Sequence, residues 1–205
     1  VELLEKAPEL SEQITMQPHP TLHTVPSCAW QISESEHLGK FDRQRADELG
    51  LSNSEINSLA NGQDITIATG LLLAQDFRSP ARAGASLMIS GDTGHQVPSF
   101  DKIGSQGGLD LLMHEATYAD EHEDKARQWM HSTARDAANA AVATGATNLL
   151  LTHYSSRHGD TQTLLEEAQE IHANTEAAVD GDVLMIAAGG SIIHLRHSAG
   201  DWTQL

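Results

Sequence analysis

Three short apolar stretches each run into a residue able to bind a metal or move a proton. Ser86–Ser90 leads to Gly91-Asp92-Thr93, Leu109–Met113 to His114-Glu115, and Asn148–Thr152 to His153. Read as buried strands of an α/β sheet, they would deliver these side chains to one edge. In open α/β sheets, function gathers at the carboxyl ends of the strands. Imidazole nitrogen and carboxylate oxygen are both good zinc ligands, so this set suits a zinc-type site. His131 adds a different chemistry. It precedes Ser132-Thr133 at the mouth of a helix expected over Ala134–Thr144. A helix start attracts anions through its free N–H groups and dipole. A histidine there can give a proton or a hydrogen bond to a phosphate oxygen.

The surrounding pattern supplies the elements that must position these groups. Val1–Pro20 is acidic and proline-bearing, a ragged lead-in with one short strand at Gln13–Gln17. Ser27–Ser33 alternates Cys28, Trp30 and Ile32 to one side, as a strand does. Phe41–Leu49 reads as a helix stopped by Gly50, and Ser54–Ala60 as a second helix capped by Ser54. Asp64–Ile67 and Leu71–Ala74 form a hairpin around Thr69-Gly70. A helix is expected at Thr161–Ala173, and strands at Val183–Ala187 and Ser191–Leu195 around Gly189-Gly190. The Trp129-Met130 pair reads as packing and Asp120–Asp124 as a solvated acidic run. Strands alternating with helices give a layered α/β fold.

The chain has 205 residues, 29 acidic and 12 basic, for a net charge of −17 with histidine neutral. Such a balance argues against non-specific polyanion binding, though it leaves room for a local basic patch. No apolar run approaches the roughly 20 residues that span a bilayer, so no membrane is expected as partner. A single cysteine, Cys28, excludes an internal disulfide and fits a reducing, cytoplasmic setting. No basic-then-apolar leader follows Val1, so no secretory signal is expected. Twelve histidines is a high count. His95, His122, His158, His172, His194 and His197 are expected to be solvated or structural. His114 is assigned only a loop-positioning role.

Four segments carry a family resemblance: Ser90-Gly91-Asp92-Thr93, Leu112-Met113-His114-Glu115-Ala116-Thr117-Tyr118, His131-Ser132-Thr133-Ala134 and Leu151-Thr152-His153-Tyr154-Ser155-Ser156-Arg157. Together with Leu22-His23-Thr24-Val25-Pro26-Ser27 and Gly39-Lys40-Phe41-Asp42, they resemble ribonuclease Z, the metallo-β-lactamase-fold endonuclease that trims tRNA precursors at the 3′ side. The resemblance implies an αβ/βα sandwich of which this chain covers mainly the second half. Residues 1–84 would be a central segment with the His23 motif, and 85–205 the carboxyl-terminal βα half. It also implies metal ligation by His23, Asp92 and His153, with Asp92 bridging two zinc ions. Catalysis would rest on His131 and Glu115 as a proton-handling pair, with Arg157 and Ser155 near the substrate phosphate. The implied reaction is metal-hydroxide attack on a phosphodiester of a tRNA precursor, in a homodimer.

The sequence departs from that family in one large respect. No His-x-His-x-Asp-His stretch occurs in the 205 residues, and His19 and His23 have the wrong spacing for one. Gly94-His95 also stands where the family often has an arginine and a proline. Three ligands cannot close two zinc shells of about four donors each. Weak metal binding and poor cleavage are therefore expected of the chain alone, together with aggregation or dimerisation through an exposed sheet face. Two other readings remain open: another hydrolase of the same fold, acting on aryl sulfates or small phosphodiesters, and a non-catalytic structural half.

Overall fold

The structure is a computed structural model and describes residues 13–156, 160–186 and 191–205. In order come strands β1 (Ile14–Thr21) and β2 (Ser27–Glu34), helices α1 (Arg43–Glu48) and α2 (Asn53–Ala60), and the hairpin β3 (Ile65–Ile67) and β4 (Gly70–Leu72). Then follow β5 (Ser86–Ile89), α3 (Phe100–Ser105), β6 (Leu111–Glu115), α4 (Glu123–Trp129), α5 (Ala134–Thr144) and β7 (Asn148–Thr152). The chain ends with α6 (Gln162–Gln169), β8 (Thr175–Ala177), β9 (Val183–Ile186), β10 (Ile192–Ser198) and β11 (Asp201–Gln204). Two compact units result. One combines the residues up to Ser35 with Ala85–Leu205, and the other is Glu36–Gly84.

The larger unit is built on a six-stranded sheet in the order β1-β2-β5-β6-β7-β8. Strands β5 to β8 run parallel, and β1 and β2 are antiparallel additions at the edge. The lead-in thus becomes an eight-residue strand rather than a five-residue one. Its Pro18 and Pro20 are tolerated because β1 pairs on one side only. One sheet face buries Met88, Leu112, Leu149 and Leu151 against alanines of α5 and against Phe100, Ile103 and Leu164. Alanine makes α5 a narrow helix that lies close to its neighbours. A Cβ at Gly104 would come 2.4 Å from the Ala143 carbonyl, so only glycine fits at that crossing.

Local signals set α5 as expected. Thr133 and Asp136 form a capping box, and Gly145 ends the helix in the left-handed region at φ 63°. Other boundaries move. Ser52, not Ser54, caps α2, because its hydroxyl is matched by Glu55 three residues on. Asp42 caps α1 from outside, shortening that helix at both ends. Strand β6 extends through Glu115, so His114 and Glu115 are strand residues whose side chains point to opposite faces. Helix α6 stops at Gln169, four residues before the expected end. Trp129 and Met130 are about half exposed, against the expectation of packing. Ala187, Gly189-Gly190, Arg157 and His158 lie outside the described residues.

A three-stranded sheet, β11-β10-β9, completes this unit. Its anchor is Asp182, which accepts from Arg196 Nε at 2.9 Å and from His194 Nε2 at 2.8 Å. His194 is thereby structural, as expected. The Arg196 hydrogen bond holds the Asp182 carboxyl well below the usual carboxylate range. A depressed folded value means that the contribution to stability is complete above the unfolded pKa near 4 and is lost as pH falls. Urea midpoints measured at about pH 6 and about pH 3 should therefore converge between the wild type and Asp182→Asn on acidification. A gap that stays constant with pH would show that the pair does not titrate with folding.

The smaller unit packs Ala46, Ile56, Leu59, Ala74 and Phe77 into its own core, with Phe41, Leu51, Ile65 and Leu72 against it.

Candidate metal centre

Because β2 is antiparallel to β5, the β1–β2 turn lies beyond the carboxyl end of β5. The pairing of Trp30 with Ile89 and Ser33 with Ser86 carries this register toward Asp92. The turn is tied there: Gly94 N donates to the Leu22 carbonyl at 2.6 Å, and Thr21 Oγ1 to the Asp92 carbonyl at 3.4 Å. His23, on this turn, reaches Asp92 Oδ2 with Nε2 at 3.9 Å. His153, just past β7, reaches Asp92 Oδ1 with Nε2 at 3.5 Å. Each carboxylate oxygen of Asp92 therefore faces a different imidazole. Residues 23, 92 and 153, far apart in sequence, converge on one spot.

Both imidazoles are held in the tautomer a metal needs. The Met130 carbonyl can only accept, so His23 Nδ1 carries the proton in their 2.8 Å bond and Nε2 keeps its lone pair. Met130 turns that carbonyl toward His23 by adopting φ 52°. His153 Nδ1 lies 2.9 Å from Thr117 Oγ1, whose own proton goes to Glu115 Oε2. His153 thus donates from Nδ1 and also leaves Nε2 free. His153 itself sits at φ 53°, a costly conformation for a non-glycine residue.

Glu115 lies beneath this arrangement with its side chain 1% exposed. Oε1 accepts from Thr93 N at 2.7 Å and from His131 Nδ1 at 2.8 Å. Oε2 accepts from Ser132 N at 3.1 Å and from Thr117 Oγ1. Four donors meet one carboxylate, two on each oxygen, so its acceptor capacity is used on both sides. His131 is then oriented with Nε2 outward. Its ring centroid lies 4.9 Å from that of His23 and 5.4 Å from that of His153. Ligand atoms of His23, Asp92 and His131 all lie within 4.8 Å of one another, as do those of Glu115, His131 and His153.

The donor set suits a divalent metal: imidazole nitrogens with free lone pairs, one carboxylate, and hydrogen-bonded partners behind each histidine. His23, Asp92, His131, Glu115 and His153 lie together in the structure. Ser155 is on the same loop as His153, with its N–H donating to the Thr117 carbonyl at 3.1 Å. Arg157 lies outside the described residues. His114 points to the opposite face of the sheet, buried, with Nδ1 donating to the Glu115 carbonyl at 2.7 Å. Burial pushes its pKa down and keeps it neutral. It lines a cavity of about 670 Å³ with Ser132 and Asp136. Sequence reasoning gave no role to Thr117 or to the Met130 carbonyl. Thr117 could have been found as a hydroxyl two residues after Glu115; the carbonyl leaves no signal in residue type.

A family model described as the β-lactamase superfamily domain matches residues 41–154. Ribonuclease Z of Brevibacillus brevis is 36% identical over 177 residues, covering 82% of this chain and 55% of the relative. Ribonuclease Z of Prochlorococcus marinus is 36% identical over 168 residues, covering 78% of this chain and 52% of the relative. The chain thus spans about half the length of the curated relatives it matches. Among solved structures, the metallo-β-lactamase fold protein YhfI from Bacillus subtilis aligns with a TM-score of 0.51 at 17% identity, over 90% of this chain and 51% of that one. That likeness is one of fold. With a sequence match over more than half its length and the same layered architecture, the chain belongs to the β-lactamase superfamily.

Proposed function

We propose that the chain is the carboxyl-terminal half of a zinc-dependent endoribonuclease that removes the 3′ trailer of tRNA precursors. The observation that carries this reading is Asp92, flanked on its two oxygens by His23 and His153, beside the 2.8 Å Glu115–His131 hydrogen bond. The relatives named ribonuclease Z support the choice of RNA as substrate.

His23, Asp92 and His153 would hold the metal, two zinc ions in the complete enzyme. When bound, zinc supplies Lewis acidity toward the phosphodiester and lowers the pKa of nearby water. The other steps belong to the chain. Glu115 fixes the His131 ring through Nδ1, which leaves Nε2 to protonate the departing 3′ oxygen. The products are a 3′-hydroxyl on the tRNA and a 5′-phosphate on the trailer. Ser155 and Arg157 follow His153 and would steady the phosphate. Three donors do not fill even one shell of about four, so slow turnover is expected of the chain by itself. Pairing of two copies would cover Ile89, now 42% exposed on the sheet. Among the described residues no helix is long and apolar enough to cross a membrane.

The test compares a tRNA precursor with bis-p-nitrophenyl phosphate, each with added zinc. We expect cleavage at the 3′ trailer junction, and His131→Gln to lower that rate by about 10²–10⁴-fold, the usual worth of a general acid. Zinc-dependent turnover of the small diester with an untouched precursor would favour another hydrolase of the same fold. Zinc uptake without turnover of either would favour a structural half.

A further inference from the structure

We infer that the cavity beside α3 and α5, on the sheet face opposite the metal centre, is a binding site for a small amphipathic amine. Its ligand has an apolar body, a neutral O–H or N–H donor at one end and an ammonium group at the other. His114 receives the donor and Asp101 the ammonium. The site is separate from the reaction proposed above and needs no metal.

The cavity, of about 670 Å³, arises from the way two helices meet. Helices α3 and α5 approach closely at Gly104 and Ala143. Phe100 and Asp101 of α3 line the cavity together with Asp136, Asn139 and Ala140 of α5, and the loop of residues 94–98 forms a third side. Gln96 in that loop is held at φ 57°, in the left-handed region. Such a conformation is costly for a non-glycine residue, and instances gather at ligand-holding segments. The volume falls within the usual range of small-molecule sites, about 300–1,000 Å³.

The buried part of the lining can accept hydrogen bonds but has no donor to give. His114 is 2% exposed, and its Nδ1 is committed to the Glu115 carbonyl at 2.7 Å. A carbonyl only accepts, so Nδ1 carries the proton, and Nε2 on the other edge of the neutral ring holds a lone pair. No hydrogen bond among the described residues reaches that lone pair. A buried acceptor left unmatched costs free energy, and a ligand donor relieves that cost. Ser132, fully buried on the same lining, gives its hydroxyl proton to the Thr93 carbonyl at 2.7 Å and so can also only accept. The Asp136 carboxylate is already engaged by Arg127 and by Thr133 N.

The walls and mouth set the rest of the ligand. Val97, Phe100, Ala140 and Ala143 offer apolar surface. Asp101 is exposed at the mouth and forms no ion pair among the described residues. Its charge selects a cation. Burying an ammonium beside the neutral His114 would cost far more than leaving it in contact with water. The cation therefore stays at the mouth, and the neutral donor goes inward.

The test titrates three probes into the 205-residue chain in EDTA: tyramine, phenethylamine, which lacks the hydroxyl, and p-ethylphenol, which lacks the ammonium. Nitrogen NMR of the His114 ring is the site-specific readout. We expect tyramine and p-ethylphenol to move the Nε2 resonance and phenethylamine to leave it in place. Phenethylamine should bind about 2–10-fold more weakly than tyramine, the worth of one neutral hydrogen bond. Asp101→Asn, at an exposed position, should weaken tyramine by about 2–5-fold and leave p-ethylphenol unchanged. Ala140→Leu extends a side chain into the cavity and should remove binding of all three. The inference is overturned if no probe moves the Nε2 resonance, if tyramine and phenethylamine bind equally, or if Asp101→Asn leaves tyramine affinity unchanged.

Discussion

Asp92→Asn is expected to lower zinc affinity by about 100-fold or more. Asp92 is the one residue whose two donor atoms face two different imidazoles, Nε2 of His23 at 3.9 Å and Nε2 of His153 at 3.5 Å. An amide of the same shape keeps one oxygen but presents an N–H group to the second position, and it carries no charge to offset the cation. Loss of a metal-supporting hydrogen bond alone costs about 10–100-fold in affinity, and loss of a direct ligand should cost at least the upper end of that range. Titration calorimetry with zinc on wild type and variant reads this directly. Removing the carboxylate should leave folding intact, because Asp92 is not part of the buried core. A variant that retains wild-type zinc affinity would mean that the metal sits elsewhere, on the Glu115, His131 and His153 group for instance.

Glu115→Gln is expected to destabilise the fold, although the change is isosteric. Each oxygen of Glu115 accepts one backbone N–H, from Thr93 at 2.7 Å and from Ser132 at 3.1 Å. A hydroxyl or an imidazole can reverse its role, but a backbone N–H cannot. Whichever way the amide turns, its NH₂ group meets a donor, and one buried N–H is left unpaired. The loss should reach about 3 kcal/mol, from an unsatisfied buried donor plus the weakened hold on Thr117 and His131. At this chain length that corresponds to a melting temperature lower by about 6–12 °C. The same variant should lose phosphodiester turnover at a temperature where it is still folded, because His131 Nδ1 no longer has a fixed acceptor. A melting temperature within about a degree of wild type would show that the carboxylate is not the hub of this network.

Much of the framework was readable because its signals are local. Helix α5 follows from a run of alanines between Thr133 with Asp136 and Gly145, all within 13 residues of one another. Strand β7 follows from the apolar run of Asn148–Thr152. Elements that were missed lack such signals. Helix α3 has six residues and includes Gly104, a poor helix former that is there for close approach to α5. Strand β8 has three residues and exists through its pairing with β7.

The sequence by itself determined which residue types end the parallel strands, hence that Asp92, Glu115 and His153 share one edge. Strand alternation and turn chemistry act over a few residues, and they suffice for that. Only the tertiary structure decided how these groups work together. The antiparallel register of β2 on β5 brings His23 over Asp92. The backbone at Met130 aims a carbonyl at His23, and Thr117 joins His153 to Glu115. These contacts span tens of residues and use atoms that every residue type possesses, so no local pattern could announce them.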